Sequence, residues 1–65
     1  MKIILNGKNR KVGVKTLEEF LTLLKFDLER TIVSVNGNVF EKKKFSKTAL
    51  SDGDKVDVFS FVGGG

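Results

Sequence analysis

The residues whose type and position most clearly suggest chemistry are the last three, Gly63, Gly64 and Gly65. A carboxylate at such an end is ionised at neutral pH and is a poor electrophile until a partner activates it. Glycine has no Cβ to obstruct attack at the reacting position, and two further glycines let an extended tail enter a narrow channel. These properties are compatible with a chain end that a partner protein activates and modifies. Taken alone, the same tail also fits a frayed end without function.

The composition excludes most other chemistry. The chain has 65 residues, with no Cys and no His. It therefore lacks the usual ligands of zinc, haem and iron–sulfur clusters, and the common nucleophile–base pairs. A domain of this size buries only about 60% of the surface of its unfolded chain, which leaves little room for an enclosed pocket. We expect a protein that is not an enzyme, has no catalytic residue, holds no metal and binds no cofactor itself.

No apolar run reaches the length of a signal peptide or a membrane span. We therefore expect a cytoplasmic protein with no membrane partner.

The first half of the chain predicts a hairpin followed by a helix. Strands at Lys2–Leu5 and Arg10–Val14 are joined through Asn6-Gly7, a pair that favours the positive φ angles of a tight turn. A capping box, Thr16-Leu17-Glu18-Glu19, opens a helix that runs from Leu17 to about Lys25. Apolar residues at i, i+3, i+4 and i+7 give this helix one buried stripe, formed by Leu17, Phe20, Leu21 and Leu24.

The second half predicts three further strands. Thr31–Val35 turns through Asn36-Gly37 into a short strand at Val39-Phe40. After a turn at 51–54, the last strand runs from Lys55 to about Val62. A helix between a hairpin and later strands predicts an α+β domain, with one main helix packed across one face of a mixed sheet. A right-handed crossover places the last strand beside the first, which is the β-grasp or ubiquitin-like arrangement. We assign residues 1–62 to this domain and 63–65 to a flexible tail.

Alternation along the last strand separates a buried face from an exposed one. Val56 and Val58 lie on the first, while Phe59 and Phe61 share the second with Asp57. Exposed aromatic side chains beside a glycine tail form an apolar patch of the kind that marks partner sites. The alternative is that the polar segment 41–47 folds over both rings through its single apolar residue, Phe45.

Two charged motifs have simpler interpretations than binding sites. The basic run of Lys42, Lys43, Lys44 and Lys47 is interpreted as a solvated loop rather than a nucleic-acid site, because Tyr and Trp stacking platforms are absent. The run could also meet an acidic surface on a partner enzyme. Asp52, Asp54 and Asp57 lack the remaining ligand positions of a calcium loop, so Asp52-Gly53-Asp54 is interpreted as a turn.

Taken in order, several of these motifs carry a family resemblance. The opening strand with Asn6-Gly7, the Thr16-Leu17-Glu18-Glu19 helix start, Asn36-Gly37, Asp52-Gly53-Asp54 and the final glycines follow one another as in the ThiS/MoaD family. The chain therefore resembles these ubiquitin-like sulfur carriers. The short basic run at 41–44 departs from the pattern that many members show.

The resemblance implies a specific function in thiamin thiazole biosynthesis. An E1-like, ThiF-type enzyme would use ATP to adenylate the carboxylate of Gly65. A cysteine-derived sulfur donor would then convert it to a thiocarboxylate, which would supply sulfur to a ThiG-type thiazole synthase. Gly63 and Gly64 would thread into the partner, while Phe59, Phe61 and Val62 would dock on it. A MoaD-like carrier for molybdopterin synthesis and a small basic module that binds protein or nucleic acid remain the alternatives.

Overall fold

The computed structural model describes residues 1–60, which form a five-stranded sheet with one main helix. The strands are β1 (Lys2–Leu5), β2 (Lys8–Lys11), β3 (Thr31–Val35), β4 (Asn38–Phe40) and β5 (Lys55–Ser60), and the helices are α1 (Leu17–Leu23) and α2 (Lys42–Phe45), with a 3-10 turn at Leu28–Arg30. The sheet order is β2-β1-β5-β3-β4, and only β1 and β5 among these pairs run parallel. This confirms the predicted mixed sheet, with the last strand beside the first.

Both predicted two-residue turns adopt the backbone conformation that Asn-Gly favours. Asn6 and Gly7 have φ values of 47° and 83°, and Asn36 and Gly37 have values of 52° and 87°. Positive φ at both central positions is the signature of the turn that matches the twist of a hairpin. The two Asn-Gly pairs therefore set the register of both hairpins.

The predicted position of the second strand, Arg10–Val14, was wrong. Because the Asn6-Gly7 turn has two residues, β2 begins at Lys8 and ends at Lys11, and all four of its residues are exposed. Val12 and Val14 follow the strand and pack, half-buried, against the core. An edge strand that is exposed on every side carries no apolar alternation, so the two valines gave a misleading signal.

Helix α1 begins with the capping box that the sequence predicts. The backbone N–H of Glu19 donates to Thr16 Oγ1 at 3.2 Å, and the N–H of Thr16 donates to Glu19 Oε1 at 3.1 Å. The helix ends at Leu23, before the predicted end near Lys25, where φ reaches 63° in the left-handed region. The predicted stripe packs on the sheet, with Leu24 half-buried and the other three side chains buried.

The polar segment 41–47 contributes to the core, which the sequence did not predict. Its lysines are exposed, as predicted, but it contains the one-turn helix α2 rather than a loop, and the side chain of Phe45 is fully buried. Phe45 joins the core cluster of Ile3, Leu5, Leu17, Phe20, Leu21, Val33, Val35, Leu50, Val56 and Val58. The segment that contains the basic run therefore contributes an aromatic ring to the core.

Candidate functional site

The strand that leads to the glycine tail lies in the centre of the sheet. Strand β5 pairs with β1 on one side, with Leu5 opposite Val56, and with β3 on the other, where Thr31 lies opposite Ser60. A central strand is held by backbone hydrogen bonds along both edges. Among the described residues, strand β1 pairs only with Lys55 and Val56, so β3 alone pairs with the backbone of the last part of β5.

The two faces of β5 differ as the alternation predicts. Val56 and Val58 are buried against the helix side, whereas Phe59 is 63% exposed on the opposite face. Phe45 lies in the core, so it does not cover Phe59, and the alternative of a covered ring is wrong for this residue. Phe59 is thus available to a partner.

Phe59 is part of a larger apolar surface that spans three strands. It lies directly opposite Ile32 of β3, which is also exposed. Val39 of β4, which is 69% exposed, lies opposite Ser34 and therefore diagonal to Ile32 on the same face. We call Ile32, Val39 and Phe59 the outer-face patch. Ile32 and Val39 were not among the predicted site residues, although alternation in β3 and the turn at Asn36-Gly37 indicate that both lie on this face.

Asn6 fixes the end of β5 from the neighbouring hairpin. Its side-chain oxygen accepts a hydrogen bond from the N–H of Val58 at 2.8 Å, and its amide nitrogen donates to the carbonyl of Val58 at 3.4 Å. Strand β1 ends at Leu5, so no backbone group of β1 lies opposite Val58. The side-chain amide of Asn6 bonds to Val58 in its place. The residue sets the hairpin turn and also holds the strand that carries Phe59.

We expect Asn6→Ala to lower the free energy of unfolding by about 2 kcal/mol, because it removes both bonds to Val58 and replaces Asn, which tolerates positive φ, with Ala, which does not. Asn6→Gly keeps the turn conformation and loses only the side-chain bonds, so a loss of about 1 kcal/mol is expected. Urea unfolding followed by circular dichroism measures both variants. Wild-type stability in Asn6→Gly would show that the bonds to Val58 contribute nothing.

The remaining predicted site residues lie outside the described part of the chain. These are Phe61, Val62, Gly63, Gly64 and Gly65. Their predicted roles as docking, threading and modified residues stay predictions.

The charged motifs are engaged in local structure. Lys42 pairs with Glu29, and Lys43 Nζ lies 3.4 Å from Glu41 Oε2. In the acidic turn, Asp52 Oδ1 accepts from the N–H of Lys2 at 2.6 Å and Asp54 Oδ2 accepts from the N–H of Ser51 at 2.7 Å. The predicted turn is confirmed: the carboxylate of Asp54 accepts a hydrogen bond within it, and that of Asp52 joins it to β1.

No helix within residues 1–60 is both long enough and apolar enough to cross a membrane.

Comparison with known families identifies the relatives of this fold. The model of the ThiS family matches residues 3–65, which is nearly the whole chain. The chain belongs to the ThiS family. The predicted resemblance is thereby confirmed, and the matched region includes the three glycines.

Solved structures of ThiS agree with this membership. The crystal structure of the thiamine biosynthesis protein ThiS from Geobacter metallireducens superposes with a TM-score of 0.82 at 38% identity, covering 100% of both chains. An NMR solution structure of a thiamine biosynthesis protein from the same organism gives a TM-score of 0.81 at 38% identity, covering all of this chain and 88% of the other. The β-grasp fold is therefore that of ThiS proteins.

Two curated relatives extend the comparison. A thiazole synthase of Paramagnetospirillum magneticum is 33% identical over 66 residues, covering 100% of this chain, which spans only 20% of that protein. An uncharacterized protein, ycf40, of Porphyra purpurea is 34% identical over 50 residues, covering 77% of this chain and 70% of its own length. The ThiS-like sequence thus occurs within a larger protein as well as in small ones.

Proposed function

We propose that this ThiS-family chain is the sulfur carrier of thiamin thiazole biosynthesis and is itself a substrate rather than a catalyst. The observation that carries the proposal is the family match over residues 3–65, which extends through the glycine tail. The ThiS structures of G. metallireducens, which share the fold at 38% identity, support it.

The reaction begins with activation of the Gly65 carboxylate. A carboxylate oxygen attacks the α-phosphate of ATP, and pyrophosphate leaves to give an acyl adenylate bound to a ThiF-type enzyme. Hydrosulfide, whose sulfur is ultimately derived from cysteine, then attacks the carbonyl carbon, AMP leaves with the bonding electron pair, and the proton on sulfur is lost to water. The product is a thiocarboxylate in which sulfur replaces one carboxylate oxygen. The chain supplies the reacting carbon and the surface that positions it, while ATP is held by the enzyme.

Thiazole synthase is the acceptor that the comparisons favour. A segment similar to this whole chain forms a fifth of a protein named thiazole synthase in P. magneticum. Sulfur transfer to a ThiG-type thiazole synthase is therefore preferred to transfer in molybdopterin synthesis.

Intact-mass analysis tests the proposed modification. The carrier is incubated with a ThiF-type enzyme, MgATP and a sulfur source, and its mass should rise by the exchange of one oxygen for sulfur. Omission of ATP should leave the mass unchanged. An unchanged mass in the complete mixture, under conditions that convert a G. metallireducens ThiS control, would refute the proposal.

The outer-face patch is proposed to dock on the activating enzyme through Phe59. We expect Phe59→Ser to lower kcat/KM for thiocarboxylate formation about 30-fold, the effect of removing an aromatic contact worth about 2 kcal/mol. Because Phe59 is 63% exposed, stability should change little. Leu23→Ser is the matched control, since Leu23 is 55% exposed on α1, which packs on the opposite face. Equal losses in both variants would show that Phe59 is not a docking residue.

A further inference from the structure

The net positive charge of this protein comes from its first hairpin and the segment that follows. Residues 1–15 contain five cationic side chains, Lys2, Lys8, Arg10, Lys11 and Lys15, and no Asp or Glu. The rest of the chain has seven cations against eight acids, so the net charge of +4 comes entirely from this segment. Within residues 1–60, both partners of every ion pair come after residue 26 in the sequence. The cations of the hairpin are thus uncompensated by the described part of the fold.

Three of these cations, Lys8, Arg10 and Lys11, lie on a free sheet edge. Strand β2 is the outermost strand on its side, and all four of its residues are exposed. Exposed edges present unpaired N–H and C=O groups to which another strand can add. A partner can therefore reach both the side chains and the backbone of β2.

The register shows which backbone groups of β2 are free. Met1 and Val12 exchange backbone hydrogen bonds of 2.9 and 3.0 Å across the hairpin. In an antiparallel ladder bonded and non-bonded pairs alternate, so Asn9 and Lys11, opposite Ile4 and Lys2, belong to non-bonded pairs. Their N–H and C=O groups point away from β1, and no other group in residues 1–60 binds them.

We propose that β2 is a docking strand for an acidic, extended segment of the adenylating enzyme. The inference rests on the proposed function, to which it adds a second contact surface. Alternating donors and acceptors at Asn9 and Lys11 suit a polypeptide strand, and the flanking cations select an acidic one.

Other occupants fit this edge less well. A second copy of β2 would set cations against cations, which destabilises strand pairing. Nucleic acid fits less well because its phosphates only accept hydrogen bonds, so they cannot donate to the free backbone carbonyls of β2. Its bases would also find no stacking platform, since residues 1–15 contain no aromatic side chain.

The choice of the adenylating enzyme as partner follows from the proposed function, in which that enzyme binds the carrier before the Gly65 carboxylate reacts. Strand β2 lies two strands from β5, about 10 Å away. Because the Debye length is about 8 Å at physiological ionic strength, the cations of β2 act mainly on the enzyme surface that lies directly against this edge.

Charge reversal tests the electrostatic part. We expect the double variant Lys8→Glu with Lys11→Glu to raise KM for the carrier about 10-fold or more, with kcat unchanged, and to weaken the dependence of kcat/KM on salt. Lys44→Glu with Lys47→Glu is the matched control, because it makes the same change in net charge at exposed positions on and just after α2. The control should stay within about 2-fold of wild type.

Four outcomes would overturn the inference. The inference fails if KM is unchanged in the β2 double variant or rises equally in both double variants. In either case, conversion of the wild-type carrier to the thiocarboxylate would leave the proposed function intact. Loss of conversion in the wild type would remove the proposed function and the inference with it. Binding of labelled single-stranded RNA that the β2 variant alone abolishes would assign the edge to nucleic acid instead.

Asn9→Pro tests the strand-pairing part. Proline removes the outward N–H of residue 9 and is tolerated on an edge strand where that group faces solvent. We expect KM for the carrier to rise about 5-fold relative to Asn9→Ala, which keeps the N–H. Circular dichroism checks that both variants fold. Equal KM values in the two variants would show that β2 does not accept a strand.

Discussion

A carrier extended by one alanine after Gly65 is expected to lose at least about 100-fold in its rate of thiocarboxylate formation. The added residue moves the reactive carboxylate by about 3.5 Å from its position in the activating site. It also places a Cβ beside the carbon that must be attacked, where glycine leaves open space. Misplacement of this size removes the benefit of pre-aligned reactants. Discontinuous intact-mass measurements give the rate.

The matched control carries the same alanine ahead of Met1, at the other end of the chain. Its rate should equal that of the unextended carrier. Both extended chains should unfold at the wild-type urea concentration, because neither addition touches the core. A C-terminally extended carrier that is converted at the wild-type rate would contradict the assignment of Gly65 as the reacting residue.

Replacement of Phe45 by alanine is expected to reduce the free energy of unfolding by about 3–5 kcal/mol. The ring is fully buried among the core residues, so its removal leaves a cavity in a domain with little other apolar surface to close it. Small proteins are stable by only about 5–15 kcal/mol, so this variant should be close to unfolded at 37 °C. The chain has no Trp or Tyr, so urea unfolding is followed by circular dichroism.

Lys44→Ala is the control for Phe45→Ala. Lys44 is exposed in the same one-turn helix, and its substitution should change the free energy of unfolding by no more than about 0.5 kcal/mol. A loss below about 1 kcal/mol in Phe45→Ala would show that segment 41–47 is the solvated loop suggested by its composition.

The elements that the sequence predicted well depend on local chemistry. Asn6-Gly7 and Asn36-Gly37 turn the chain because their residues accept positive φ. Thr16 and Glu19 satisfy each other's backbone groups three residues apart, so the start of α1 is also set locally. Adjacent strands and the right-handed crossover then follow from general rules of topology.

The elements that it did not predict depend on contacts between distant parts of the chain. Strand β2 carries no apolar pattern because it is an exposed edge, and its pairing with β1 alone defines its limits. Helix α2 forms where Phe45 reaches a core built mostly from residues far from it in sequence. A single Phe among lysines gives no period to detect.

The candidate site was predicted only in part, because some of its residues come together through contacts between strands. Alternation within β5 predicted the exposed ring of Phe59. The Asn36-Gly37 turn places Val39 beside β3, but Ile32 meets Phe59 only through the register of β3 with β5, which alternation within one strand does not give. The partner-facing surface is therefore a property of the sheet.

The location of the transferred sulfur tests the central claim most directly. Trypsin cleaves after Lys55, the last basic residue, and releases the peptide 56–65, which contains no Cys or Met. After reaction with the activating enzyme, MgATP and a labelled sulfur source, all of the label should be in this peptide, and fragmentation should place it on Gly65. A peptide 56–65 that contains no sulfur, although the enzyme converts a ThiS control in parallel, would contradict the account.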